Sequence, residues 1–135
     1  MRDYDLIDIA GSALRAERVR MDVIAGNIAN MKTTHAADGT VQPYLRKLVS
    51  FKTVMDEQTG LVKGVGTDSI MNDVEALNVV YDPSHPDADE KGYVYYPNIS
   101  IEEEMTDMIS SKSAYQANIT SIQTFKEMFS AGLEI

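Results

Sequence analysis

The stretch "LIDIAGSALRAERVRMDVIAGNIAN", Leu6 to Asn30, decides the fold. Ile7, Ala10, Leu14, Met21, Ile24 and Ile28 recur at spacings of three, four or seven, while Asp8, Arg15, Arg18 and Asp22 fall on other faces. That is the period of an amphipathic helix. Its apolar stripe is narrow and keeps a seven-residue repeat through Ile7, Leu14, Met21 and Ile28, which suits a helix–helix seam better than a broad globular face. A partner helix is required.

The chain offers one at its other end. Ile101, Met105, Met108, Tyr115, Ile119, Ile122, Phe129 and Leu133 hold steps of three, four or seven, and Glu102, Glu103, Glu104 and Asp107 crowd the first turns, where the helix macrodipole favours acids. Lys112 and Lys126 interrupt the stripe. They read as the edge of a seam with their stems over apolar surface, or as contacts to an acidic neighbour. Ala10, Gly11, Ala114 and Ala117 are small enough to permit close helix approach, and equally serve as plain helix formers.

Between the helices the period changes. Tyr44–Met55 alternates as a strand does, and Thr59–Gly60 marks a turn before Leu61–Met71. Val74–Asp82 and Gly92–Tyr96 read as further short strands, and Lys32–Pro43 as a mobile loop. The expected class is α+β: the terminal helices pair as an antiparallel coiled coil, and a small β-rich region of hairpins projects from it. The expected division is residues 1–33, 34–97 and 98–135.

Composition narrows the function. The 135 residues carry a net charge of −9, with eight basic and six acidic residues up to Lys52 and four against fifteen beyond it. An acidic chain of this kind lacks the footprint for a phosphate backbone, so no nucleic-acid partner is expected. No cysteine is present, which removes thiolate chemistry and disulfides. Neither an uninterrupted apolar leader nor a run of about 18 apolar residues appears, so no cleaved signal peptide and no membrane insertion are expected. His35 and His85 both fall in expected loops, away from any nucleophile elbow, phosphate loop or HExxH pattern, so no catalytic residue and no cofactor is assigned.

The acidic segment "YDPSHPDADEKGYV", Tyr81–Val94, invites a metal reading. Setting Asp87 at position 1 of a calcium loop puts Asp89 at position 3 and Gly92 at position 6, but Lys91 and Asn98 then stand where anionic ligands belong. No metal site is assigned. Pro83 and Pro86 instead suggest a stiff, extended connector, with Asp82 and Asp87 making turn and capping bonds.

"VIAGNIANMKTT", Val23–Thr34, resembles the N-terminal signature of flagellar axial rod, hook and filament-type proteins, through Ala25, Asn27, Ile28, Ala29, Asn30 and Thr33. The last helix is similar to the tail of that family at Glu104, Met105, Ile109, Tyr115, Ala117 and Asn118, and Tyr81–Asn98 resembles its proximal-rod members. The resemblance implies a structural subunit of the basal-body rod, the axle that transmits torque, exported unfolded through the flagellar channel without a cleaved signal. It implies as partners copies of the chain, other rod proteins, the basal-body ring and the export apparatus. Ile7, Leu14, Met21, Ile24, Ile28, Met105, Met108, Tyr115, Ile119, Ile122, Phe129 and Leu133 are the expected assembly interface; Asn27, Asn30, Thr33 and Asn118 are family-motif positions; Phe51 and Met55 form a candidate export element. A free-standing coiled-coil adaptor or a small metal-binding module is the alternative.

Overall fold

The computed structural model describes residues 3–73 and 77–133. Its elements run α1 (Asp3–Ala29), β1 (Lys47–Met55), β2 (Val62–Asn72), β3 (Asn78–Tyr81), β4 (Tyr93–Tyr96) and α2 (Ile101–Leu133). The expected α+β class and element order hold, although the expected strand from Val74 begins outside the described residues and is formed from Asn78.

The two helices run antiparallel. Near one end Asn27 of α1 meets Glu104 of α2; in the middle Ser111 meets Glu17; at the other end Leu6, Ile7 and Ala10 share a cleft of about 240 Å³ with Asn118, Ile122 and Phe125. Helix α2 starts where Ser100 Oγ accepts from the Glu103 backbone N–H, a cap of the kind that satisfies the first free donors of a helix.

The four strands form two separate hairpins, β1–β2 and β3–β4, each antiparallel. The first lies along α1. Ser12 explains how: its Oγ donates to the Ile9 carbonyl at 2.6 Å and accepts from the Val65 backbone N–H at 2.9 Å, so one hydroxyl fastens the strand to the helix. A Cβ on Gly64 would sit 2.2 Å from that Oγ, so only glycine allows this approach. The second hairpin makes no close backbone approach to another of the described helices or strands; Val94 of β4 is fully buried, and the hairpin turn is bonded to the segment after α1.

Two loops differ from expectation. Tyr81–Val94 is no extended connector to α2: its middle is the turn between β3 and β4, folded through successive bonds from Asp82 N to Gly92 O, His85 N to Asp82 O, and Asp89 N to Tyr93 O. Its carboxylates do the turning. Asp82 Oδ1 accepts from the Ser84 backbone and hydroxyl, and Asp89 Oδ1 from the Lys91 and Tyr93 N–H groups, giving Asx turns that outweigh the extended preference of the prolines. The segment expected to be mobile, Lys32–Pro43, is hydrogen-bonded within itself, Ala36 N to Thr40 O, and is tied to its flank by Tyr44 N to Thr33 O.

The core is thin. Among the described residues the buried apolar side chains are Ala16, Ile24, Val94 and Pro97. The surface is 9592 Å², where a compact 14.9 kDa monomer would expose about 7,000 Å². Much apolar area therefore remains at the surface, including Met105, Ile109, Met128 and Leu133 on α2 and Val54, Met55, Leu61 and Val62 around the hairpin tip.

Candidate assembly interface

The residues singled out in the sequence divide into two groups. Ile24 is buried, and Ile7, Leu14, Met21 and Ile28 are half-buried along α1. On α2, Met108, Tyr115, Ile119 and Ile122 are half-buried. Met105, Phe129 and Leu133 are exposed, 55%, 44% and 74% respectively, so the long stripe of α2 is larger than one partner helix covers. Its contact with α1 is instead carried by residues that include buried Glu104 and Ser111 and half-buried Asn118 and Phe125, spaced seven apart.

Glu104, Ser111 and the α1 residue Asn27 are polar and buried, and each has a reason. Ser111 Oγ donates to the Glu17 carboxylate at 2.6 Å, and its small size lets the helix backbones approach. Glu104, 1% exposed, accepts from Arg46 Nε at Oε1 and from Asn27 Nδ2 at Oε2, 3.1 Å. Asn27, also 1% exposed, uses its whole amide: Nδ2 donates as well to the Lys47 carbonyl at 2.9 Å, while Oδ1 accepts from the Lys47 N–H at 2.9 Å and the Tyr44 hydroxyl at 3.0 Å. One buried cluster thus joins the end of α1, the start of β1 and the start of α2.

Its electrostatics are those of a paired buried charge. Burial works against the Arg46 cation, but the hydrogen bond and charge of Glu104, with Asp73 at 3.7 Å and Asp107 at 3.8 Å, outweigh it and raise its pKa. Burial first, and then the Glu104 charge, push the Tyr44 phenol upward, so it remains a donor to Asn27. In the sequence Glu104 reads as one of the acids of the first turns and as part of the family-like tail, not as a buried residue. The available signal was its place seven residues before Ser111 and four before Met108, on the packed face.

The remaining motif residues cap and brace. Asn30 Nδ2 donates to the Gly26 carbonyl at 2.8 Å, closing the last turn of α1, and Thr33 Oγ1 donates to Asn30 Oδ1. Thr34 Oγ1 then donates to Asp87 Oδ2 at 2.6 Å, and His35 Nδ1 lies 3.0 Å from the same oxygen. Asp87 therefore pins the β3–β4 turn to the segment that leaves α1, and the Thr34 bond chiefly holds its carboxyl below the usual range. Among the described residues no three His, Asp or Glu side chains are grouped to hold a metal ion. Phe51 is half-buried in β1 and Met55 is 57% exposed at its end.

Comparison with known proteins places this arrangement. Residues 7–36 match the family described as Flagella basal body rod protein, and residues 90–135 the family described as Flagellar basal body rod FlgEFG protein C-terminal. The chain is 39% identical over 148 aligned positions to the flagellar basal-body rod protein FlgC of Bacillus subtilis, covering 100% of this chain and 99% of that one. The chain belongs to the FlgC family of flagellar basal-body rod proteins. FlgC of Borreliella burgdorferi is also 39% identical, over 98% of this chain and 96% of its own. FlgC of Salmonella typhimurium is 39% identical over 92% and 90%.

Membership in the FlgC family makes the chain a structural subunit of the flagellar rod, located in the basal body and assembling with other rod and basal-body components. The two family matches cover α1 with its Asn27–Asn30 end, and α2 with the strand before it. Those are the regions that the Asn27–Arg46–Glu104 cluster locks together. Among the described residues no helix is long and apolar enough to cross a membrane.

Proposed function

We propose that the chain builds the proximal rod by packing its terminal helices, residues 1–33 and 98–135, beside those of copies and other rod proteins, as coiled-coil walls around an export channel. The β-rich residues 34–97 form the outward part, and the assembly carries torque as an axle. The supporting observation is surface: the chain exposes about 2,600 Å² more than a compact monomer would, an excess larger than a standard protein interface buries in total. The exposed apolar side chains include Met105, Ile109 and Leu133 on α2, Val54, Met55, Leu61 and Val62 at the tip of the first hairpin, and Val79, Val80 and Tyr81 on the second, surfaces that neighbours can cover.

The seam of this packing comprises Ile7, Leu14, Met21, Ile24 and Ile28 with Met108, Tyr115, Ile119 and Ile122 inside one subunit. Met105, Phe129 and Leu133 reach between subunits. Asn27, Asn30, Thr33 and Asn118 set the helix ends and the helix pairing. Delivery is as an unfolded chain through the flagellar export apparatus without a cleaved signal, with Phe51 and Met55 as its recognition element. Met55→Ser, at an exposed strand end, separates recognition from folding: export falls while the purified variant unfolds at the same urea concentration. Unchanged export removes that element.

Deletion of the gene tests the whole reading. Cells without the chain are non-motile, with basal bodies that lack a rod beyond its base. Motile deletion cells refute it.

A further inference from the structure

Two helix faces remain after the fold is complete, and their charges match. On α1, Asp8, Arg15, Arg18 and Asp22 are exposed along one stripe with half-buried Gly11. On α2, Glu102, Met105, Ile109 and Lys112 are exposed along another. Both stripes lie away from the α1–α2 contact, since that contact uses Glu17 and Asn27 on one helix and Glu104 and Ser111 on the other. Among the described residues Asp8, Arg15, Arg18 and Lys112 make no ion pair, whereas Arg46, Lys52 and Lys63 are each paired with an acid.

The order of residues along the stripes fixes a register. From Glu102 to Lys112 is ten residues, about 15 Å of helix, acid first and base last. From Arg18 back to Asp8 is the same length, base first and acid last. Set antiparallel, Glu102 meets Arg18 and Lys112 meets Asp8. Ile109 then falls opposite Gly11 and Met105 opposite the stem of Arg15. Gly11 is open for it: a Cβ there would meet only the Arg15 guanidinium, at 3.8 Å. The parallel arrangement sets Ile109 against Asp22 and Lys112 against Ala25, with no acid for the lysine. Beside the α1 stripe runs an open groove of about 880 Å³ between α1 and the hairpin tip, lined by Asp8 and Arg15 on one side and by exposed Val54, Leu61 and Val62 on the other.

We infer that the outer face of α2 in one copy docks antiparallel on the outer face of α1 in a second copy, with Ile109 over Gly11 and the pairs Lys112–Asp8 and Glu102–Arg18 at its ends. This rests on the rod-assembly reading and adds to it which faces meet, and in which register. The contact is heterologous, because the donor face and the acceptor face differ and every copy carries both; it therefore repeats around or along an assembly instead of closing as a dimer. It also continues the antiparallel alternation that α1 and α2 begin within one subunit. Lys112, which broke the apolar stripe, acquires a partner.

The absence of native cysteine makes the test direct. Basal bodies are isolated from motile cells whose only copy of the chain carries Gly11→Cys and Ile109→Cys, oxidised, and run without reductant. Bands at multiples of this chain's mass, absent from either single variant, are expected. Motile cells that give no such bands, or a band joining the chain to a protein of another mass, overturn the inference while leaving the rod reading intact; motile deletion cells overturn the rod reading itself. A charge exchange guards against a folding artefact: Asp8→Lys or Lys112→Glu alone lowers cross-linking about threefold, as a rim ion pair allows, and both in one chain restore it. Equal loss in the single and double variants overturns the register.

Discussion

Replacing Gly64 by alanine attacks the one place where the hairpin and α1 have no spare room. The new Cβ would lie 2.2 Å from Ser12 Oγ and 2.9 Å from Ser12 Cβ, so the strand must lift from the helix. Three costs follow. Overpacking contributes about 1–3 kcal/mol. Separation breaks the bond from the Val65 N–H to Ser12 Oγ and leaves a partly buried donor, about 1 kcal/mol or more. Gly64 also has φ 152°, which L side chains rarely adopt, adding about 1 kcal/mol. The total is about 3–5 kcal/mol, a large share of the 5–15 kcal/mol typical of a whole domain. Urea unfolding followed by far-UV circular dichroism measures it: with a slope of about 1.5 kcal/mol/M, the midpoint falls by about 2–3 M. Ser12→Gly removes the obstructing atoms, so the double variant is at least about 1 kcal/mol more stable than the two single changes predict by addition. A Gly64→Ala chain within about 0.5 kcal/mol of the parent, or strict additivity of the pair, refutes the close-approach reasoning.

Arg46→Met leaves Glu104 buried with no cation and costs about 3–5 kcal/mol by the same unfolding measurement, whereas Arg46→Met with Glu104→Met recovers most of it; a single variant of near-parental stability refutes the paired-charge reading. The link between Asp87 and Thr34 depends on pH through a lowered carboxyl pKa. A depressed acid stabilises the fold above its unfolded value and loses that contribution as pH falls through its folded value, so the link holds from neutral pH to about 4 and fails only below it. Amide hydrogen exchange at Ala36 and Ala88 follows this, and loss of protection already at pH 6 contradicts it. Replacing both Pro83 and Pro86 by alanine leaves the Asx turns of Asp82 and Asp89 in place and changes the unfolding free energy by less than about 1 kcal/mol; a larger fall shows that the prolines, not the carboxylates, hold the loop.

Period alone revealed both helices and the first hairpin, because Ile7–Ile28, Ile101–Leu133 and the alternation before Thr59–Gly60 each have one dominant spacing. Which part of the α2 stripe turns inward was not legible, for Met105 and Ile109 are as apolar as Met108 yet face outward, while Ser111 packs inward by bonding Glu17. Hydropathy cannot separate a face buried by the fold from one left for a neighbour. The turning of Tyr81–Val94 was hidden for a different reason: its acids read as exposed charge, and only their bonds to backbone N–H groups make them structural. Gly64 carried no signal, because a glycine demanded by an approach from 52 positions away looks like any strand glycine.

The cluster of Asn27, Arg46 and Glu104 also sets an order in time. Asn27 and Glu104 are 77 positions apart, and bringing such distant points together costs about 4 kcal/mol of chain entropy. Until the last quarter of the polypeptide is available, the amide of Asn27 and the guanidinium of Arg46 surround a space for a carboxylate that has not yet arrived. The helix pair is consequently a late event, and a chain cut short before Glu104 lacks the carboxylate that joins Asn27 to Arg46.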